Sequence, residues 1–295
     1  MWGIHRQARR MKQPILIFGI CLFCLIFLFL LYGMDNGERV LLNNKVNEYI
    51  LLEKKEGIVL STYFTSVLDP QRNKFVNNND YEYMKPLYES CLEHSFDLVI
   101  FHDSLSNEFI EKYENEYVQF QMVSLRSGVS VNDERFLFYQ KFLRENQNKY
   151  EFVMLSDISD VMLFTNPFDA MKLQEDKSNG ICKYWILKED TLLSVMVDYY
   201  KHCYGSKSLF TKKNFDTNLN IYNAGVIGGR IENVQYMIES IIAELTRITK
   251  GYNCNMIALQ FNIQNNIISE DNICNEGMCW KNDTCTRPFL HHKFS

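Results

Sequence analysis

A mixed α/β fold, built on a mostly parallel sheet with helices on both faces, is what the first half of this chain's folded region predicts. Short runs rich in β-branched and aromatic residues recur between residues 57 and 156, and segments with helical spacing separate them. The last of these runs, EFVMLS at 151–156, is apolar enough to lie inside such a sheet.

In chain order, residues 58–64 (IVLSTYF) predict the first strand, and 81–94 a helix in which Pro86 must sit near the first turn or cause a kink. Residues 97–102 (DLVIFH) predict a second strand, 106–113 a short helix and 117–125 a third strand. A helix over 132–146 opens on Asn132, a good capping residue, and leads into the fourth strand at 151–156. In sheets of this kind the ligand site lies beyond the carboxyl ends of the strands. The second half is less regular. Its clearest element is a helix over 232–250, where Val234, Ile238, Ile241 and Leu245 keep helical spacing and Gly251 follows in the capping position.

Ahead of this region the uncharged run at 15–32 matches the roughly 18–20 residues that cross a bilayer. Arg6, Arg9, Arg10 and Lys12 precede it, and Asp35 and Glu38 follow, which predicts a cytosolic tail over 1–14 and a single-pass anchor. A cleaved signal peptide is the alternative, but the run is longer than a usual signal core and no small-residue cleavage site follows. Residues 33–56 read as a stem and 57–295 as one lumenal domain. The net charge of −5 supplies no basic field for nucleic acid.

Of the nine cysteines, Cys21 and Cys24 lie in the apolar run, leaving an odd number beyond it, so at least one is unpaired or pairs between chains. Cys274, Cys279 and Cys285 lack the further ligands at matching spacing that a zinc site needs, and they predict disulfide stapling of the tail. Asn282-Asp283-Thr284 is a glycosylation acceptor beside them, which agrees with a lumenal location.

Three segments carry candidate chemistry. The first is SDISD, directly after the fourth predicted strand. Carboxylates at Asp157 and Asp160 are costly there unless a cation compensates them, and hard oxygen ligands suit Mg²⁺ or Mn²⁺. Turn capping by the same residues is the competing reading. The second is IYNAGVIGGR at 221–230, where Gly225, Gly228 and Gly229 permit close backbone approach to a ligand and Asn223 offers an amide. A plain glycine-rich turn between strands is its alternative. The third is PFLHHK at 288–293, with His291 and His292 as metal-ligand candidates and Lys293 as a phosphate contact; a disordered tail is its alternative, against which the neighbouring cysteines speak.

In this order, behind an anchor and an α/β half, the three segments resemble the nucleotide-sugar glycosyltransferases of the GT-A (Rossmann-like) fold, most of all glycosyltransferase family eight and related type II membrane enzymes. The resemblance implies that Asp157 and Asp160 hold Mn²⁺ or Mg²⁺ together with His291 or His292. It implies that Asn223, Ala224 and Gly225 line the donor sugar, that Lys293 meets the diphosphate, and that Ser61, Thr62 and Tyr63 lie near the uridine of a UDP-sugar. Arg135 becomes a donor-binding candidate, with a plain surface arginine as the alternative. The activity implied is sugar transfer to a glycan or glycoprotein acceptor at the Golgi membrane, with a leaning towards retention of configuration.

Two departures from the family pattern stand out. The acidic motif is D-x-x-D rather than D-x-D, and Asn255 stands where related enzymes often carry an Asp, leaving Gln260 and Asn262 as polar candidates on that segment. These departures support a second expectation, a catalytically silent glycosyltransferase-like protein that binds glycans or partner enzymes. A disulfide-stapled adhesive ectodomain is a third.

Overall fold

The computed structural model describes residues 54–205, 219–248, 252–280 and 288–292. The predicted anchor and most of the stem, the glycosylation acceptor, Gly251, Cys285 and Lys293 lie outside them. Among the described residues no helix is long and apolar enough to cross a membrane.

The described residues begin with β1 (Lys55–Tyr63) and a small hairpin of β2 (Leu68–Asp69) and β3 (Lys74–Phe75). Next come α1 (Tyr81–Glu93), β4 (Asp97–His102), α2 (Asn107–Tyr113), β5 (Val118–Met122), α3 (Val131–Asn146) and β6 (Tyr150–Ser156). These are the predicted strands and helices with boundaries shifted by a few residues. Asp80 caps α1 by accepting from the Glu82 N–H, and Pro86 lies inside the helix. Asn132 is not the cap of α3: Ser130 takes that position, and Asn132 falls within the first turn.

After β6 follow β7 (Val161–Leu163), α4 (Pro167–Lys177), β8 (Tyr184–Leu192), α5 (Val197–Tyr204) and β9 (Asn220–Arg230). The remainder comprises α6 (Ile231–Leu245), α7 (Asn255–Gln264), β10 (Ile273–Cys274), β11 (Met278–Trp280) and β12 (Leu290–His292). The helix expected over 232–250 is thus α6, ending at Leu245 with Thr246 as its C-cap. The glycine-rich segment at 221–230 is no turn: it is the long buried strand β9.

The main sheet has the order β10-β8-β9-β6-β1-β4-β5. Its β6-β1-β4-β5 half is parallel throughout, while β9 runs antiparallel to both β6 and β8. Strand alternation sends Ile58 and Leu60 of β1 to one face and Val59 and Tyr63 to the other. The first face packs on α3, α6 and α7 through Phe136, Ile238 and Leu259, the second on α1, α2 and α4 through Met84, Phe109 and Phe168. Helices therefore cover both faces, as a sheet of apolar strands requires.

A second sheet, β11-β12-β7, sits beside the carboxyl end of β6 and pairs His292 with Val161. Disulfides join Cys182 to Cys274 and Cys203 to Cys254, and Cys279 is disulfide-bonded to a partner outside the described residues. The tail cysteines therefore do not simply staple one another, because Cys274 reaches back to the start of β8. Cys91 is a free, buried thiol among the described residues.

Candidate functional site

β6 delivers Asp157 to its carboxyl end with the backbone already fixed. The Asp157 N–H donates to the Gly225 carbonyl at 2.8 Å, extending the β6–β9 ladder by one residue. Ile158 then turns inward and is buried in the core, so the chain doubles back and brings Asp160 alongside Asp157. The antiparallel pairing of β12 with β7 adds His292, fully buried, with Nε2 3.4 Å from both Asp157 Oδ2 and Asp160 Oδ1. One ligand atom from each of the three residues lies within 4.8 Å of the others.

Two carboxylate oxygens and one imidazole nitrogen at this spacing fit a single divalent ion with ligands about 2.1 Å away. The extra residue in D-x-x-D leaves both carboxylates in the group. His291 does not join it. Neighbouring side chains on a strand point to opposite faces, and its ring lies beside Phe164 at 6.4 Å between centroids.

Arg135, on the first turns of α3, is buried rather than a surface arginine. Its Nη1 donates to Asp157 Oδ1, and its Nη2 to the Ala224 carbonyl at 3.0 Å. Burial opposes the charge on Asp157, but Arg135 and His292 overcome it and hold the carboxyl far below the usual range. Burial likewise lowers the affinity of His292 for a proton, yet Asp157 and Asp160 raise it above its ordinary value.

The group borders a cavity of about 370 Å³ over the carboxyl ends of β1 and β6. Of the three residues expected near a uridine, Thr62 lines it. Ser61 and Tyr63 do not, because alternation turns them to the other face of β1. Ser61 donates to the Ser156 carbonyl at 2.7 Å, and the Tyr63 hydroxyl bonds the backbone of Asn77 and Asp80.

Asn223 and Gly225 line the cavity, while Ala224 contributes its carbonyl to Arg135. The Asn223 amide is itself organised: Oδ1 accepts from the Gly225 N–H and Nδ2 donates to Glu189 Oε1, both at 2.6 Å. Gly225 has no room for a side chain, since a Cβ there would collide with Asp157 Oδ2 and Asn223 Oδ1. Gly228 and Gly229 serve packing instead of a ligand. They face Met171 and the Lys183 carbonyl, respectively.

Asn255 also lines the cavity, its Nδ2 donating to the Asn132 carbonyl and to Asn253 Oδ1. Asp133 accepts the Cys254 and Asn255 backbone N–H groups at the start of α7. Gln260 is spent on the Tyr222 carbonyl at 2.7 Å, and neither it nor Asn262 reaches the cavity.

Sequence reasoning missed Glu189, Arg72 and Tyr83, which all line the cavity. Glu189 could have been suspected as a carboxylate within a run of buried residues on β8. Arg72 carries no signal of its own: Asp69 is a local partner, but Ser159, its contact on the acidic motif, lies 87 residues away. No protein-family model matches this chain, and no curated protein matches it closely enough to count as a relative.

Proposed function

We propose that this chain is a metal-dependent glycosyltransferase that moves a sugar from a nucleotide-diphosphate donor, in the first instance a UDP-sugar, to a glycan or glycoprotein acceptor. The observation that carries this reading is the convergence of Asp157, Asp160 and His292 at the carboxyl end of β6, beside a cavity bordered by Arg72 and Arg135. Asp157, Asp160 and His292 would hold Mn²⁺ or Mg²⁺, which would supply Lewis-acid charge against a diphosphate leaving group. Arg135 locks the Asp157 carboxylate in one orientation by pairing it and tying the guanidinium to the β9 backbone. The backbone-clamped Asn223 presents an amide to sugar hydroxyls, and Gly225 leaves the space beside the strand that the Asp157 carboxylate and the Asn223 amide occupy.

The disulfides support a site in the oxidising secretory pathway, where the apolar run at 15–32 would serve as a Golgi membrane anchor. A panel of nucleotide sugars assayed for Mn²⁺-dependent hydrolysis is the test. Hydrolysis of at least one donor by the wild type, lost in His292→Ala and kept in His291→Ala, is the expected result. Absence of both hydrolysis and metal-dependent UDP binding in the wild type would refute the reading.

Asn255 favours one further reading, a catalytically silent binder of the same ligands, because an amide stands at the cavity where a carboxylate could act as base. Calorimetry with UDP and Mn²⁺ separates the two when combined with the panel. Binding without turnover of any donor identifies the silent form.

A further inference from the structure

The hairpin of β2 and β3 carries Arg72 at its tip, and the tip is internally fixed. Asp69 accepts the backbone N–H groups of Gln71 and Arg72, at 2.8 and 3.2 Å, and its Oδ2 accepts from Arg72 Nη1 at 3.0 Å. The same Nη1 donates to the Tyr83 hydroxyl at 3.0 Å, and Tyr83 stands against the buried Tyr63, 5.0 Å between ring centroids. The guanidinium is therefore held from two sides before it reaches the acidic motif.

There, Nη2 donates to Ser159 Oγ at 3.0 Å. Ser159 and the core-buried Ile158 are the two residues between the carboxylates of D-x-x-D. Ile158 anchors one end of the turn inward, and Arg72 grips the other end from outside. Burial opposes its charge, but Tyr83, Asp69 and Asp160 together hold the guanidinium protonated.

We infer that Arg72 is a positioning residue for the candidate metal centre: through Ser159 it fixes the D-x-x-D turn so that Asp160 meets the same ion as Asp157 and His292. The inference rests on the proposed metal site and extends it to a residue outside the ligand set. Groups that orient a ligand from behind typically govern metal affinity by about 10–100-fold.

Electrostatics alone predicts the opposite sign. Arg72 is a cation near the site and repels Mn²⁺, so removing it without any loss of geometry would tighten metal binding. The two roles are therefore told apart by direction as well as by size.

The experiment is a Mn²⁺ titration of the full chain without nucleotide, followed by calorimetry and by the electron paramagnetic resonance signal of free Mn²⁺. It covers the wild type, Arg72→Ala, Arg72→Lys, Ser159→Ala and the Arg72→Ala/Ser159→Ala double variant. The inference expects Arg72→Ala and Ser159→Ala each to weaken Mn²⁺ binding about 10-fold, and the double variant no more than either, because both remove the Arg72–Ser159 contact. Lysine keeps the charge but not the fork that spans Asp69, Tyr83 and Ser159, so Arg72→Lys should fail to restore affinity. Unchanged or tighter binding in Arg72→Ala overturns the inference. If that variant does not fold, Ser159→Ala decides alone, since it deletes one hydroxyl and leaves the charge in place; wild-type affinity there overturns the inference. A wild type that takes up no Mn²⁺ overturns the metal site itself, whereas uptake equal in all variants overturns only the role of Arg72.

Discussion

Replacing Arg135 with methionine tests whether the Arg135–Asp157 pair is a buried, structural part of the site. The Arg135 side chain is 8% exposed and that of Asp157 27%. Breaking a buried ion pair by removing one partner costs about 3–5 kcal/mol, because the other charge is left uncompensated. Asp157 keeps His292 as a second partner and retains some contact with water, so the low end applies, about 3 kcal/mol for Arg135→Met. For a domain of this size each kcal/mol moves the midpoint by about 2–4 °C, which predicts a fall of about 6–12 °C in metal-free buffer. Arg144 on the same helix provides the control. It pairs with Glu239 at 2.8 Å, but the two side chains are 56% and 39% exposed. Exposed pairs contribute at most about 1 kcal/mol, so Arg144→Met should shift the midpoint by no more than a few degrees. Thermal melts of both variants followed by circular dichroism make the comparison. An Arg135→Met protein melting within about 2 °C of the wild type would refute the argument that α3 supplies the charge on which Asp157 depends.

Three further outcomes are expected. Gly225→Ala should disturb the Asp157 and Asn223 side chains that its new methyl meets, costing about 1–3 kcal/mol of stability and most of the Mn²⁺ affinity; a variant titrating like the wild type contradicts the close packing at β9. His292 sits above its ordinary value of 6.5 in the metal-free fold, so its contribution to stability is present in full below that pH and is lost as pH rises through the elevated value. Mn²⁺ competes for the same nitrogen, so its affinity should climb over that window, and a pH-independent affinity would argue against His292 as a ligand. The Cys203–Cys254 bond spans 51 residues, so chain entropy assigns it about 4 kcal/mol. The Cys203→Ser/Cys254→Ser variant should lose about 2–4 kcal/mol in urea unfolding, and an unchanged midpoint would show that the two ends are held together without it.

Local pattern was enough to find the parallel half of the sheet, because β1, β4 and β6 are read from apolar runs and β5 from the alternation of VQFQM. It also placed Asp157 and Asp160 at the end of a strand. What the sequence left open was decided by pairing between distant segments. Whether His291 or His292 enters the site depends on the parity of β12 against β7, and two adjacent histidines carry no information about that parity. The same alternation on β1 separates Thr62 from Ser61 and Tyr63. The glycine-rich segment was ambiguous because a strand that packs closely against Met171 and Asp157 needs the same small residues as a turn does. Arg72 was invisible for a related reason: its hairpin is local, but Ser159 lies 87 residues away.

The short strand β12 has a bearing on how the molecule reaches its final form. Roughly 130 residues of chain separate Asp160 from His292, more than separate the partners of the β1–β4 and β1–β6 ladders, so this contact carries the largest closure cost of the three. The sheet can thus consolidate while the two carboxylates still face solvent without their imidazole, and the ion site is finished only when β12 docks between β7 and β11. Manganese supplied during refolding should therefore act late, capturing a nearly complete fold rather than nucleating it.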